Sequence, residues 1–335
     1  MTERIAILGG GAMGSACAVL AATHGEQDVR LWVRDADAAE TIARTRVNDR
    51  YLPHSRLDDA ITVTADAAAA LDGAGLIVAA VPCQQLRGCL EGLADRIPDN
   101  APVVSVIKGI ESETSLRPSE VVHEVLGDVG VVALAGPSHA EEIAGRMPTA
   151  VVAASGDVSL AERVQHALST DRFRIYTHRD LVGAELAGGL KNVIAIAAGI
   201  CDGLGLGDNA KSTLVSRGVV EITRVGTHLG AESETFHGLA GVGDLMTTCF
   251  SGHSRNRGVG ERLGKGEPID EILASMHTVA EGVPTARGVK ELADREDLDA
   301  PIITEVDAVL FGGKPADKAV HTLMTRPRKA ERLAL

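Results

Sequence analysis

Aromatic residues are nearly missing from this chain of 335: four Phe, two Tyr and one Trp make up 2% of it, although hydrophobic residues reach 45%. Its cores must be packed from Ala, Val, Ile and Leu, without the large rings that dominate many interiors. Cysteine is scarce as well. Cys17, Cys83, Cys89, Cys201 and Cys249 are odd in number and form no C-x-x-C pair, which argues against a disulfide framework and a zinc site. No apolar run reaches the ~18 residues of a membrane-spanning helix. The apolar start RIAILGGGAMG is interrupted by glycine and lacks the basic leader of a signal peptide. Positive charge is in deficit, with 33 Lys and Arg against 46 Asp and Glu and a formal net charge of −13. Phosphate backbones select basic faces, so the expectation is a cytoplasmic protein with a small-molecule partner and neither nucleic acid nor membrane. The length implies about two domains at roughly 150 residues each.

What is present divides near residue 180. Before it, short β-branched runs alternate with helical patterns. The strands expected are Arg4–Leu8, Asp28–Val33, Ile61–Thr64, Leu76–Val81, Val103–Ile107, Val131–Ala135, Ala150–Ala154 and Phe173–Tyr176, with helices such as Met13–Ala22 and Gln84–Leu93 between them. Continuous apolar strands separated by helices predict an α/β domain with a mostly parallel sheet covered on both faces. After Asp180 the strand signal stops. ELAGGLKNVIAIAAGI, Asn209–Leu229 and Ile269–Met276 read as helices, so residues 1–180 are expected to form the α/β domain and 181–335 an all-α domain.

Gly9-Gly10-Gly11-Ala12-Met13-Gly14 matches G-x-G-x-x-G at the first strand-to-helix turn. There Gly9 makes the tight turn, Gly11 lets the backbone approach a pyrophosphate, and Gly14 lets helix and strand close up. A dinucleotide such as NADH or NADPH is the cofactor this implies. Twenty residues beyond Gly14, where an acid reads the ribose of NAD and an Arg holds the 2′-phosphate of NADP, stand Arg34 and then Asp35. Arg34 leans toward NADPH, with dual use open because Asp35 also reaches toward the ribose.

Chemistry is expected where strands end. Lys108-Gly109 follows one strand and Gly136-Pro137-Ser138-His139-Ala140 the next, at carboxyl ends where open α/β sheets bind ligands. Lys191 is the only charged residue between Leu186 and Ile200. A lone ammonium on an apolar helix face needs a partner, and burial beside other cations draws its pKa toward neutrality, where it serves as acid or base. Glu185 and Asn192 bracket it. The stretch GLAGVGDLMTTCFSGHSRNRGVG, residues 238–260, gathers six glycines, two serines, two threonines, Arg255 and Arg257 around the single acid Asp244. It reads as backbone brought close to an anion: Asp244 is expected to pair with Lys191, Arg255 and Asn256 to open a helix that seats a phosphate, and Arg257 to face solvent. His139, His237 and His253 carry no metal-ligand spacing and are read as hydrogen-bonding or surface groups.

Together these segments resemble the NAD(P)-dependent sn-glycerol-3-phosphate dehydrogenases over essentially the whole chain. The resemblance rests on GGGAMGSA, NDRYLP, SVIKGI, AGPSHAEE, DLVGAELAGGLKNVIAIAAGI, GLGDNAKSTLVSRGVVEI, GLAGVGDLMTTCFSGHSRNR and VAEGVPTA. It implies a Rossmann-type domain followed by a helical domain related to that of 6-phosphogluconate dehydrogenase. It implies reversible reduction of dihydroxyacetone phosphate to sn-glycerol 3-phosphate, which supplies phospholipid synthesis. By motif match, Lys191 looks like the catalytic proton acceptor, and Lys108, Gly136, Ser138, Lys191, Asp244, Ser254, Arg255 and Asn256 like the substrate shell. Gly9, Gly11, Ala12, Met13, Gly14, Arg34, Lys108, Ala140, Arg255, Val279 and Glu281 look like cofactor contacts. Met13 stands where an aromatic is common in the family, and Gly188-Gly189 replaces a GALKN-like spelling. The small-residue helices of the second domain admit a homodimer. The rivals are a reductase of the 6-phosphogluconate or 3-hydroxyacid dehydrogenase type, which leaves the Asp244–Asn256 run unexplained, and a cofactor-binding sensor, which needs no placed acid or base.

Overall fold

In a computed structural model of the chain, residues 3–331 are described apart from 24, 26, 277 and 329; the outermost ends of the expected domains, residues 1–2 and 332–335, lie outside them. The chain forms two compact units. The first comprises residues up to Ile107 with Pro118–Leu181, and the second comprises Lys108–Arg117 with the chain from Val182 onward. The decapeptide 108–117 therefore groups with residues far along the chain rather than with its immediate neighbours.

The first unit contains ten strands among the described residues: β1 (Arg4–Leu8), β2 (Asp28–Trp32), β3 (Val47–Asn48), β4 (Leu52–Arg56), β5 (Thr62–Thr64), β6 (Leu76–Ala79), β7 (Val103–Ser105), β8 (Val131–Ala135), β9 (Thr149–Ala154) and β10 (Phe173–His178). Eight join one sheet in the order β10-β9-β8-β7-β6-β1-β2-β5. Every neighbouring pair is parallel except β8 and β9, which run antiparallel. The central strands β6, β7 and β8 are buried at every residue, as apolar runs covered by helices on both faces must be. The core holds Ile5, Ile7, Leu31, Leu76, Val78, Val104 and Val132, with Phe173 as its only aromatic member. Several strands are shorter than their apolar runs suggest. Val103–Ile107 stops at Ser105, shortly before the segment 108–117 that groups with the other unit. The run Gln84–Leu93 is a 3₁₀ turn, Cys83–Gln85, followed by the short helix Leu86–Glu91.

The second unit is helical among the described residues. Its longest helix, Leu181–Gly203, has a mean hydropathy of 1.4 over its most apolar window, and 89% of that window is buried inside the protein. Length and composition alone would let it cross a membrane, but the burial makes it a core helix. The helix Arg255–Gly264 lies against it at backbone contact. A Cβ added to Gly260 would stand 1.9 Å from the Ile196 carbonyl oxygen, one on Gly264 2.7 Å from that of Ile200, and one on Gly199 2.0 Å from that of Arg257. Positions 196 and 200 thus face 260 and 264, so the two helices run side by side in the same direction. One turn earlier, the same register brings Asn256 beside Asn192. The Gly199/Gly203 stripe is thus used in packing inside the unit.

Candidate active site

The dinucleotide turn of the first unit is built as its glycines require. Gly9 has φ +118°, open to glycine but strained for other residues, and a Cβ there would meet the Ala80 carbonyl oxygen at 2.7 Å. A Cβ on Gly14 would lie 1.8 Å from the Gly9 carbonyl oxygen, whereas one on Gly11 would meet nothing within 4 Å. Two of the glycines are thus demanded by packing, and the third borders open space. The helix Ala12–Ala22 starts directly after Gly11 with no side-chain cap, so its first N–H groups present a positive dipole end. Ala140 lies in the same core, with Ala12 and Met13 packed against it. Gly136 has φ +130°, and the Ser138 hydroxyl donates to the Gly136 carbonyl (2.9 Å). These features fit a dinucleotide cradle.

At the end of β2 the two ribose candidates separate. The Asp35 carboxylate is taken up as the cap of the helix Ala36–Thr45, accepting from the Ala38 N–H (2.9 Å). Arg34 is exposed.

In the second unit three charges converge. Lys191 is 4% exposed and Asp244 2% exposed. The Lys191 ammonium donates to Asp244 Oδ1 (2.6 Å) and to the Thr248 hydroxyl, while Lys108 donates to Asp244 Oδ2 (2.8 Å). One carboxylate thus bridges two ammonium groups. Burial lowers the Lys191 pKa to about 8; the Lys108 charge pushes the same way, and the attraction of Asp244 opposes it. For Asp244, burial works to raise the pKa, but the two lysines outweigh it and hold the carboxyl below its ordinary value. Asn192 Nδ2 donates to the Lys108 carbonyl (2.8 Å), and at the far end of the segment 108–117 the Arg117 guanidinium pairs with the buried Glu185 (2.7 Å). Gly188 and Gly189 lie under this segment, near the Lys108 side chain and Gly109.

Ser254 caps the helix Arg255–Gly264, accepting from the Arg257 N–H (3.2 Å). Arg255 is exposed at its first position. Buried Asn256 accepts from the Gly282 N–H through Oδ1 (2.9 Å), and Glu281 immediately precedes the helix Gly282–Arg295. Val279 is 41% exposed. Arg257 does not simply face solvent: its guanidinium donates to Asp202 (2.6 Å), which also holds Lys211 (2.8 Å). An Arg beside a glycine-rich turn looks solvated in sequence because its acid lies 55 residues away. His237 Nδ1 lies 3.0 Å from the Ser233 carbonyl, and both His237 and His253 are exposed.

Two participants escaped the sequence reading. Thr248 follows Asp244 by one helical turn and faces the same ammonium, a spacing that is visible in sequence once Asp244 is chosen. Asn48, in β3, reaches the glycine turn through tertiary contact, which no local pattern announces. Burial pushes the thiol of Cys249 up to about 12 and that of Cys201 up to about 11, away from the reactive thiolate.

A doubly wound domain with a glycine cradle, carried in one chain with a buried lysine tuned toward neutrality, defines a dinucleotide-dependent oxidoreductase. Comparison with known proteins sharpens the class. The model described as NAD-dependent glycerol-3-phosphate dehydrogenase N-terminus matches residues 4–161, and the corresponding C-terminus model matches residues 180–321. The chain belongs to the NAD-dependent glycerol-3-phosphate dehydrogenase family. It is 47% identical to glycerol-3-phosphate dehydrogenase [NAD(P)+] of Prosthecochloris aestuarii, covering 98% of this chain and 99% of that one. To the Geobacillus kaustophilus protein of the same name it is 46% identical, covering 98% and 96%. The crystal structure of glycerol-3-phosphate dehydrogenase from Coxiella burnetii superposes with a TM-score of 0.93 at 35% identity, covering 97% of this chain and 99% of that one.

Proposed function

We propose that this protein reduces dihydroxyacetone phosphate reversibly to sn-glycerol 3-phosphate, with the first unit holding a nicotinamide dinucleotide and the second the substrate. The observation that carries the reading is the buried Lys191 ammonium, hydrogen-bonded to Asp244 and Thr248 and tuned to about 8. The dinucleotide, when bound, supplies or accepts the hydride. Lys191 gives its proton to the carbonyl oxygen in reduction and takes it back in oxidation. After that transfer Lys108 and Asp244 remain as a neutral pair, so the buried site never holds an uncompensated carboxylate. Lys108 polarises the ketone. Arg255, the Asn256 amide nitrogen, Ser254 and the helix N-terminus orient the phosphate, with Gly136 and Ser138 completing the substrate shell. Gly9, Gly11, Gly14, Ala12, Met13 and Ala140 form the dinucleotide cradle, and Lys108, Arg255, Val279 and Glu281 are proposed as further cofactor contacts.

Arg34 favours NADPH, because Asp35, the competing ribose reader, is occupied as a helix cap. The product supplies the glycerol phosphate backbone of phospholipids, and the acidic composition suits a cytoplasmic enzyme. The test is loss of NADH or NADPH absorbance on adding dihydroxyacetone phosphate. Turnover with this ketone and none with unphosphorylated dihydroxyacetone is expected. Turnover with neither phosphorylated ketone nor cofactor pair would refute the assignment. An Arg34→Ala protein is expected to raise the KM for NADPH about tenfold or more and that for NADH much less; equal changes would sink the proposed role of Arg34.

A further inference from the structure

Asn48 is a buried polar side chain that joins the β3–β4 hairpin to the dinucleotide turn. It is 2% exposed, and its Nδ2 donates to the Gly10 carbonyl (2.9 Å) and the Ser15 hydroxyl (2.8 Å). A carbonyl only accepts, so the contact with Gly10 fixes which end of the amide faces the turn. The hairpin itself is pinned at its base. Arg46, at φ +59°, donates through its guanidinium to the carbonyls of Asp58 and Ile61, and Leu57 N–H bonds to the Arg46 carbonyl (2.7 Å). Asn48 is thus presented to the turn from a fixed support.

We propose that Asn48 is a positioning residue for the dinucleotide, acting through the Gly10–Gly11 peptide. In a trans peptide the C=O and the following N–H point in opposite directions. Drawing the Gly10 carbonyl inward onto Asn48 therefore aims the Gly11 N–H outward, to the side where Gly11 borders open space. That is where a pyrophosphate would meet the turn and the uncapped helix end. The second hydrogen bond, to Ser15, ties the same amide to the first turn of that helix, so peptide and helix end keep one mutual orientation. Without the clamp the glycine-rich segment GGG is free to rotate its peptide planes, and the donor must be ordered at the moment of binding.

This rests on the dinucleotide reading above, and the experiment separates the two. Asn48→Asp keeps the shape and removes the donor; Asn48→Ala removes both. Dissociation constants for NADH, NADPH and ADP are measured by fluorescence and calorimetric titration of the folded proteins, with melting temperature as a control. In both variants NADH and ADP, which share the pyrophosphate, are expected to weaken by the same factor of about ten, while the NADPH-to-NADH affinity ratio stays within twofold of the parent. Affinities within twofold of the parent in the Asn48→Asp protein, with only a lower melting temperature, would make Asn48 a structural residue and overturn the proposal. Loss confined to NADH, with ADP unchanged, would overturn it too. Failure of the parent protein to bind NADH or ADP would remove the dinucleotide reading itself, and the proposal with it.

Discussion

An ammonium nearly sealed from water is costly unless it is paired, and Lys191 is paired in a way that keeps it titratable. If it exchanges a proton with the substrate, ketone reduction needs it charged and alcohol oxidation needs it neutral. The reductive rate is therefore expected to fall as pH rises through about 8, and the oxidative rate to fall as pH drops through the same region; pH–rate profiles in both directions check the crossing. Asp244→Asn removes the attraction that raises the Lys191 pKa and leaves the Lys108 repulsion, so the crossing should move to lower pH. A crossing that stays put would separate the titration from Lys191. Lys191→Ala should lower kcat by about 10²–10⁴ with NADH affinity little changed, as read by steady-state kinetics beside a binding titration. Much of this was legible in the residues, because an isolated lysine in ELAGGLKNVIAIAAGI and an isolated acid in a glycine-rich run are conspicuous. The second partner of Asp244 was not, since Lys108 stands 136 residues from it in sequence.

Among the elements, the contact of Leu181–Gly203 with Arg255–Gly264 sets the position of the groups proposed to hold the substrate. It needs glycine at the crossing, because there the carbonyls of one helix occupy the space of a side chain on the other. Gly260→Ala is expected to destabilise the protein by about 1–3 kcal/mol and to lower its melting temperature by several degrees. Gly258→Ala, two residues away, would meet nothing within 4 Å; removing glycine's helix penalty of up to ~1 kcal/mol should leave stability equal or higher. Thermal melts of the two proteins compare them directly, and equal losses would contradict the crossing. The parallel strands were legible because apolar runs covered on both faces have no polar side to hide. The hairpin Leu52–Arg56 with Val47–Asn48 was not: NDRYLPHSR is polar, carries Pro53 and buries little. Its partners, not its composition, make it strand.

At the scale of the whole molecule, several acids outside the proposed chemistry are buried, Glu111, Asp180, Glu221 and Glu305 among them. Glu221 is 2% exposed and accepts from the N–H groups of Ile302 (3.0 Å) and Ile303 (2.8 Å), capping the helix Pro301–Phe311 from the helix Gly207–His228. Burial raises its pKa to about 7, against the pull of those two N–H groups and of Arg224. The folded state thus holds a proton that the unfolded chain releases near 4.5. Stability from this group is fully present below about 4.5 and is lost as pH rises to about 7, by up to about 3 kcal/mol. Denaturant melts across that window should show the decline, and Glu221→Gln should remove its pH dependence; an unchanged slope would assign it to other groups.

By itself the sequence determined the classes of element, the alternation that makes a parallel sheet, the glycine turn and the identity of the isolated charges, since each follows from local periodicity, backbone freedom or the cost of burying a charge. Tertiary structure alone decided that residues 108–117 join the second unit, that Asp244 bridges two lysines, that Arg257 is held by Asp202, and that Asn48 holds Gly10. Those depend on contacts between residues far apart in the chain, where closing distances are set by packing and not by any pattern that a single segment carries.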